Sequence, residues 1–144
     1  MQAELTIIIG TEEETNALSN ELFDFNKNIV PGFVGRDYPS DVVRYVVKQN
    51  DTLIAGVVGR ITLNHIVYVD DLFVIENFRK QGYATALLDK LESEAKLRGC
   101  YLAYLDTINP DAVTFYKKRN YKIFGILDNV PCPGVKAVYL KKDL

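Results

Sequence analysis

The feature that most restricts the fold of this chain is a change of hydrophobic period between Ile66 and Gly99. Ile66 to Ile75 is rich in β-branched and aromatic residues, broken by the acidic pair Asp70-Asp71, and reads as a long strand. From Tyr83 the period becomes helical. Ala84, Leu87, Leu88, Leu91 and Ala95 follow one face, Asp89, Glu92, Ser93 and Lys96 lie off it, and Gly99 ends the pattern. A strand that passes through a short loop into a one-sided helix points to an α/β or α+β domain, in which the helix lies on a sheet.

The rest of the chain reads in the same way. Leu5 to Ile9 is a strand candidate closed by Gly10, and Thr11 with Glu14 forms a capping box that starts a helix running to about Phe25. Asn26 to Pro39, with two prolines and two glycines, reads as a loop long enough to meet a substrate. Val42–Lys48 and Thr52–Leu63 form a hairpin around Asn50-Asp51, with Gly56 and Gly59 marking bulges or close packing. Tyr101 to Leu105 is a strand. Asn109 caps a helix with Pro110 in its first position, and the helix ends near Arg119 with Asn120 in the left-handed place. Tyr121–Ile126 and Val135–Leu140 are the last strands. One domain spanning residues 1–144 is expected.

Composition narrows the chemistry. The 144 residues are 48% hydrophobic, and 17 basic against 19 acidic side chains leave a net charge of −2 with no long block of like charge. Nucleic acid is therefore not the expected partner. Cys100 and Cys132 stand far apart, and His65 is the single histidine, so neither a disulfide framework nor a metal site is expected. No apolar run approaches the roughly 20 residues of a spanning helix, so no membrane partner is expected and cytoplasmic residence is the default. Residues 1–28 carry six acidic side chains and one basic, a local charge of −5 that suits attraction of a cation or simply a solvated face.

The junction Arg79-Lys80-Gln81-Gly82-Tyr83-Ala84-Thr85 is the informative loop. It joins a strand to a helix N-terminus, where free backbone N–H groups and the macrodipole favour a phosphate, while Gly82 allows close approach and Arg79 and Lys80 add charge. It is neither a Walker A loop nor a Rossmann fingerprint. Its plain alternative is a charged turn that caps a helix.

Arg79-x-x-Gly82-x-Ala84 resembles the Arg/Gln-x-x-Gly-x-Gly/Ala signature of the Gcn5-related N-acetyltransferases (GNAT). Asn109 to Tyr121 is similar to that family's Asn-x-x-Ala-x-x-Phe-Tyr-x-x-x-Gly-Phe/Tyr block, with Asn120 in place of glycine. Tyr68-Val69-Asp70-Asp71-Leu72-Phe73-Val74 is locally similar to a run in spermidine/spermine acetyltransferases, and the C-terminal strands resemble those of uncharacterised bacterial members.

The resemblance implies a single-domain GNAT fold, with a mixed, mostly antiparallel sheet of six to seven strands flanked by helices. It also implies acetyl-CoA as acyl donor, no metal, and transfer of the acetyl group by direct attack of an amine. By the same resemblance Arg79, Lys80, Gln81, Gly82, Tyr83, Ala84 and Thr85 hold the pyrophosphate, and Leu72, Phe73 and Val74 meet the thioester and pantetheine on a bulged strand. The Leu72 N–H is the implied donor to the thioester oxygen, Asn109 touches the pantetheine arm, and Tyr116 protonates the departing thiolate. For Tyr116 the alternative is a core aromatic sharing a helix face with Ala112 and Phe115.

Asp70 is the base candidate, or else a group that binds a cationic substrate; on a regular strand it and Asp71 face opposite sides, with Tyr68 on the side of Asp70. His65 reads as a solvated turn residue, and Lys117, Lys118 and Arg119 as cations suited to a helix C-terminus. The expected acceptor is a primary amine of a small molecule such as a polyamine or amino sugar. A protein or peptide amine, or a sensor that binds acetyl-CoA without turnover, are the alternatives. Free sheet edges suit a homodimer.

Overall fold

The structure is a computed structural model that describes residues 5–33, 41–62 and 65–144. Leu63, and residues 34–39 of the expected loop, lie outside the described residues. The chain divides into two units, Met1–Tyr38 and Pro39–Leu144.

The first unit holds helix α1, Glu12–Ile29. Its capping box forms as the sequence predicts: the Glu14 N–H donates to the Thr11 hydroxyl at 3.2 Å, and the Thr11 N–H donates to the Glu14 carboxylate at 2.7 Å. The helix passes the expected end at Phe25 and runs on to Ile29, because nothing before Pro31-Gly32 breaks it. Leu5 to Ile9 form no strand, and the expectation there is corrected. Leu5, Ile7 and Ile9 are exposed; a β-branched run becomes a strand only where another strand pairs with it.

The second unit is a six-stranded sheet carrying two helices on its connections. Its strands are β1 (Asp41–Gln49), β2 (Thr52–Thr62), β3 (Ile66–Val74), β4 (Leu102–Thr107), β5 (Lys122–Asp128) and β6 (Lys136–Asp143), in the spatial order β1-β2-β3-β4-β6-β5. Helix α2 (Tyr83–Leu97) connects β3 to β4, and α3 (Pro110–Lys118) connects β4 to β5. Every neighbouring pair is antiparallel except β3 with β4. That parallel pair requires a crossover, and α2 supplies it.

The apolar stripe of α2 is its buried face, with Leu87, Leu88, Leu91 and Ala95 in one core with Val57, Ile61, Val67, Val69 and Ala103. Each buried leucine contributes about 1.5–3 kcal/mol by leaving water. Gly59 explains how closely helix and sheet approach. A Cβ there would lie 2.7 Å from Leu91 Cδ1 and 3.2 Å from Val67 Cγ2, so any side chain would force the buried Leu91 to shift. Both helices end in a Schellman motif. In α2 the Cys100 N–H donates to the Ala95 carbonyl at 2.9 Å, across Gly99 at φ 87°. In α3 the Tyr121 N–H donates to the Tyr116 carbonyl at 3.0 Å and the Asn120 N–H to that of Lys117 at 3.1 Å, with Asn120 at φ 70° as expected.

Two irregularities interrupt β3. Its register with β2 shifts, so that Val69 lies opposite Gly59 and Asp71 opposite Val58, leaving Asp70 as an extra, bulged residue. Its pairing with β4 covers only Ile66–Tyr68 against Leu102–Tyr104, so the two strands part beyond Tyr68.

Candidate active site

The parting of β3 and β4 opens one edge of β3. The Ile75 N–H turns toward β2, donating to the Ile54 carbonyl at 2.9 Å. The Val74 carbonyl turns the other way and accepts from Arg79 Nε at 2.9 Å. Backbone groups alternate along an antiparallel strand, and the register from Asp71 to Val74 is regular, so Leu72 directs its N–H to the open side as Val74 does its carbonyl. A backbone donor therefore faces the gap where no β4 partner takes it.

The loop after β3 is built around an anion-friendly helix start. Glu76–Phe78 make one 3-10 turn, after which Lys80 at φ 60° and Gly82 at φ 87° both adopt left-handed backbone. Lys80 there is strained for a residue with a side chain, and such strain concentrates at functional loops. Gly82 has nothing within 4 Å of where a Cβ would sit, so the space beside the backbone is open. Helix α2 has no side-chain cap and no acidic residue in its first turn, whereas α1 and α3 are capped by Thr11 and Asn109. The first N–H groups of α2 are left for an incoming acceptor. The Arg79 guanidinium also lies 5.3 Å over the Phe73 ring, and so stands at the mouth of the same gap.

These elements enclose a cleft of about 590 Å³ lined by the end of β3, the loop, the first turn of α2 and one face of α3. Eleven of the thirteen site residues expected from the sequence line it: Leu72, Phe73, Val74, Arg79, Lys80, Gly82, Tyr83, Ala84, Thr85, Asn109 and Tyr116. Gln81 and Asp70 do not. Four further residues complete the lining without having been expected there: Phe78, Asp111, Ala112 and Phe115. Ala112 and Phe115 share the helical spacing of Tyr116, which places them on its face; Phe78 and Asp111 carry no such signal.

Tyr116 is 6% exposed, yet its side chain borders the cleft and its hydroxyl has no hydrogen-bond partner among the described residues. Burial raises its pKa from 10.0 to about 12, because the ionised phenolate would lose solvation there. Asn109 spends its side-chain oxygen on the Asp111 N–H at 3.0 Å, a helix cap that leaves its amide N–H₂ free to donate.

Asp70 lies in a different setting. Arg60 Nε contacts both its oxygens at 2.9 and 2.8 Å, and a terminal guanidinium nitrogen adds a contact at 2.7 Å. The bulge corrects the expected alternation. Asp71 lies opposite Val58 and Asp70 binds Arg60, so both carboxylates belong to the sheet face away from α2. Tyr68 shares that face: Arg60 lies 5.1 Å over its ring, and its hydroxyl donates to Asp106. His65 is a turn residue at φ 64°, with Nδ1 3.1 Å from the Gly99 carbonyl. Among the described residues no group of three or more acidic, histidine or cysteine side chains is placed to hold a metal, and no helix is long and apolar enough to cross a membrane.

The model of the acetyltransferase (GNAT) family matches residues 12–121. The chain belongs to this family. It is 40% identical over 95 residues to the acetyltransferase Atu2258 of Agrobacterium fabrum, covering 66% of this chain and 68% of that protein. Among solved structures it is similar to an acetyltransferase from Bacillus cereus ATCC 14579, with a TM-score of 0.75, 31% identity, and 97% and 98% of the two chains covered. An aminoglycoside 6'-N-acetyltransferase crystallised with coenzyme A shares the fold at a TM-score of 0.65 and 19% identity, over 96% and 97% of the two chains. As a GNAT acetyltransferase this protein uses acetyl-CoA as acyl donor. The cleft fits such a donor chemically. It brings together a helix start with free N–H groups, the unpaired edge of β3, and a face of α3 that presents Ala112, Phe115 and Tyr116 beside the acidic Asp111.

Proposed function

We propose that this protein transfers the acetyl group of acetyl-CoA to a primary amine of a small molecule, by direct attack in the cleft between β3, α2 and α3. The observation that carries the reading is the convergence of the loop, the open β3 edge and Tyr116 on one cleft. In the proposed arrangement the backbone of Arg79 to Thr85 takes the pyrophosphate, with the side chains of Arg79 and Lys80 adding positive charge. The edge of Leu72 to Val74 lies along the pantetheine arm as an added strand does, and Asn109 donates its amide to the same arm.

The free amine attacks the thioester carbonyl carbon, a C–N bond forms, and the negative charge that develops on oxygen is met by the Leu72 N–H. As the C–S bond breaks, the sulfur takes the proton of the Tyr116 hydroxyl, and the phenol is restored from solvent. The raised pKa of Tyr116 keeps it protonated and able to donate at any ordinary working pH. The proton of the new ammonium leaves to water in this scheme. Both oxygens of Asp70 are occupied by Arg60, so in this scheme the carboxylate holds Arg60 instead of receiving that proton.

The test follows thiol release from acetyl-CoA against polyamines, aminoglycosides and peptides with free N-termini or lysines. Turnover with at least one small amine and none with peptides supports the reading. Turnover confined to peptides, or tight acetyl-CoA binding with no acceptor at all, overturns it.

A further inference from the structure

Away from the cleft, α2 is tied to the end of α3 and the residues after it by one part-buried polar cluster that the proposed reaction does not use. Glu92, two turns beyond the loop on α2, is 12% exposed in its side chain and has both oxygens engaged. One accepts from the Tyr121 hydroxyl at 2.9 Å and the other from Lys142 Nζ of β6 at 2.6 Å. Lys142 also lies 5.7 Å over the Tyr121 ring. Tyr121 is 2% exposed and touches Tyr116 twice: ring to ring at 5.2 Å and 66°, and through its N–H on the Tyr116 carbonyl. A second tie, Arg119 to Asp89, joins the same two helices.

The ring that borders the cleft as Tyr116 thus rests edge-on against a ring whose hydroxyl end is tethered by a part-buried charge-assisted hydrogen bond, so that it cannot swing about its Cα–Cβ bond without breaking that tether. Phe115, its other aromatic neighbour at 5.2 Å, lines the cleft itself and carries no polar anchor.

We infer that Tyr121, held by Glu92 and Lys142, is a positioning residue that fixes the Tyr116 phenol relative to the α2 loop, and so sets the distance between acid and leaving sulfur. The inference rests on Tyr116 as the thiolate-protonating acid. A phenol free to tilt by a fraction of an ångström loses in-line contact with the sulfur while donor binding through α2 is untouched.

A double-mutant cycle on kcat, run with each amine that turns over, tests it. Tyr121→Phe keeps the ring and removes the anchor; we expect kcat to fall about tenfold, with the KM for acetyl-CoA within about twofold of native. Glu92→Leu should reproduce that loss, and Glu92→Gln, which retains an oxygen for the Tyr121 hydroxyl, should restore most of kcat. In a Tyr116→Phe background Tyr121→Phe should cost nothing more, because no proton donor remains to be placed.

Losses that multiply in the double variant, or an equal loss for Gln and Leu at position 92, overturn the positioning role and leave Tyr116 standing. A native rate for Tyr116→Phe, or no turnover with any amine, removes the acid itself and this inference with it.

Discussion

Tyr116 is the residue proposed to protonate the leaving thiolate, and its burial makes a specific statement about pH. A general acid works while protonated, so its activity is present below its pKa and lost above it. Burial moves the loss from near 10 to about 12. Tyr116→Phe should lower kcat about a hundredfold with little change in donor affinity. In the native enzyme kcat/KM should show no falling limb from this group through pH 10. A falling limb centred near pH 9 that vanishes in Tyr116→Phe would contradict the burial-raised pKa, and a native rate for Tyr116→Phe would contradict the assignment itself.

At this scale much of the lining of the cleft was legible. Arg79, Gly82 and Ala84, and likewise Asn109 and Tyr116, line the cleft through local spacing at a loop and on a helix face, and local spacing is what a sequence displays. The Arg60 clasp on Asp70 was not legible, because it joins neighbouring strands across a bulge that no residue type announces. The same bulge placed Asp70 and Asp71 on one face.

Among elements, α2 was legible because its stripe fixes the buried face, and α3 because a cap, a proline and a left-handed asparagine bracket it. Leu5 to Ile9 misled because strand propensity needs a pairing partner, and the end of α1 was set late because only Pro31-Gly32 terminates it. Contact between α2 and the sheet depends on Gly59, whose missing side chain admits the buried Leu91. Gly59→Ala should overpack this contact and cost about 1–3 kcal/mol in denaturant unfolding. The effect should be relieved in part by pairing it with Leu91→Val. Native stability for the single variant would show that the helix does not need so close an approach.

In the second unit as a whole, the cleft exists because one sheet contains one parallel pair that parts early. β3 and β4 hold together only to Tyr68, α2 crosses between them, and the unpaired edge of β3 is left beside the uncapped start of α2. Topology therefore brings the uncapped start of α2, a backbone donor and a phenol to one space, although the residues responsible span from Leu72 to Tyr116. The sequence displayed the two ends of that space as separate motifs. Their meeting depends on how far β3 and β4 stay paired, a long-range property.

The central claim is that acetyl-CoA lies in this cleft with its pyrophosphate on the Gly82 loop. Calorimetric titration of acetyl-CoA into Gly82→Asp tests it most directly. Gly82 faces open space, so the new carboxylate disturbs no packing, yet it brings negative charge and a left-handed strain to the place assigned to the pyrophosphate. The account predicts that Kd rises about tenfold to a hundredfold while thermal stability falls by only about 1 kcal/mol. An unchanged Kd in a folded Gly82→Asp protein would place the donor elsewhere and contradict the account.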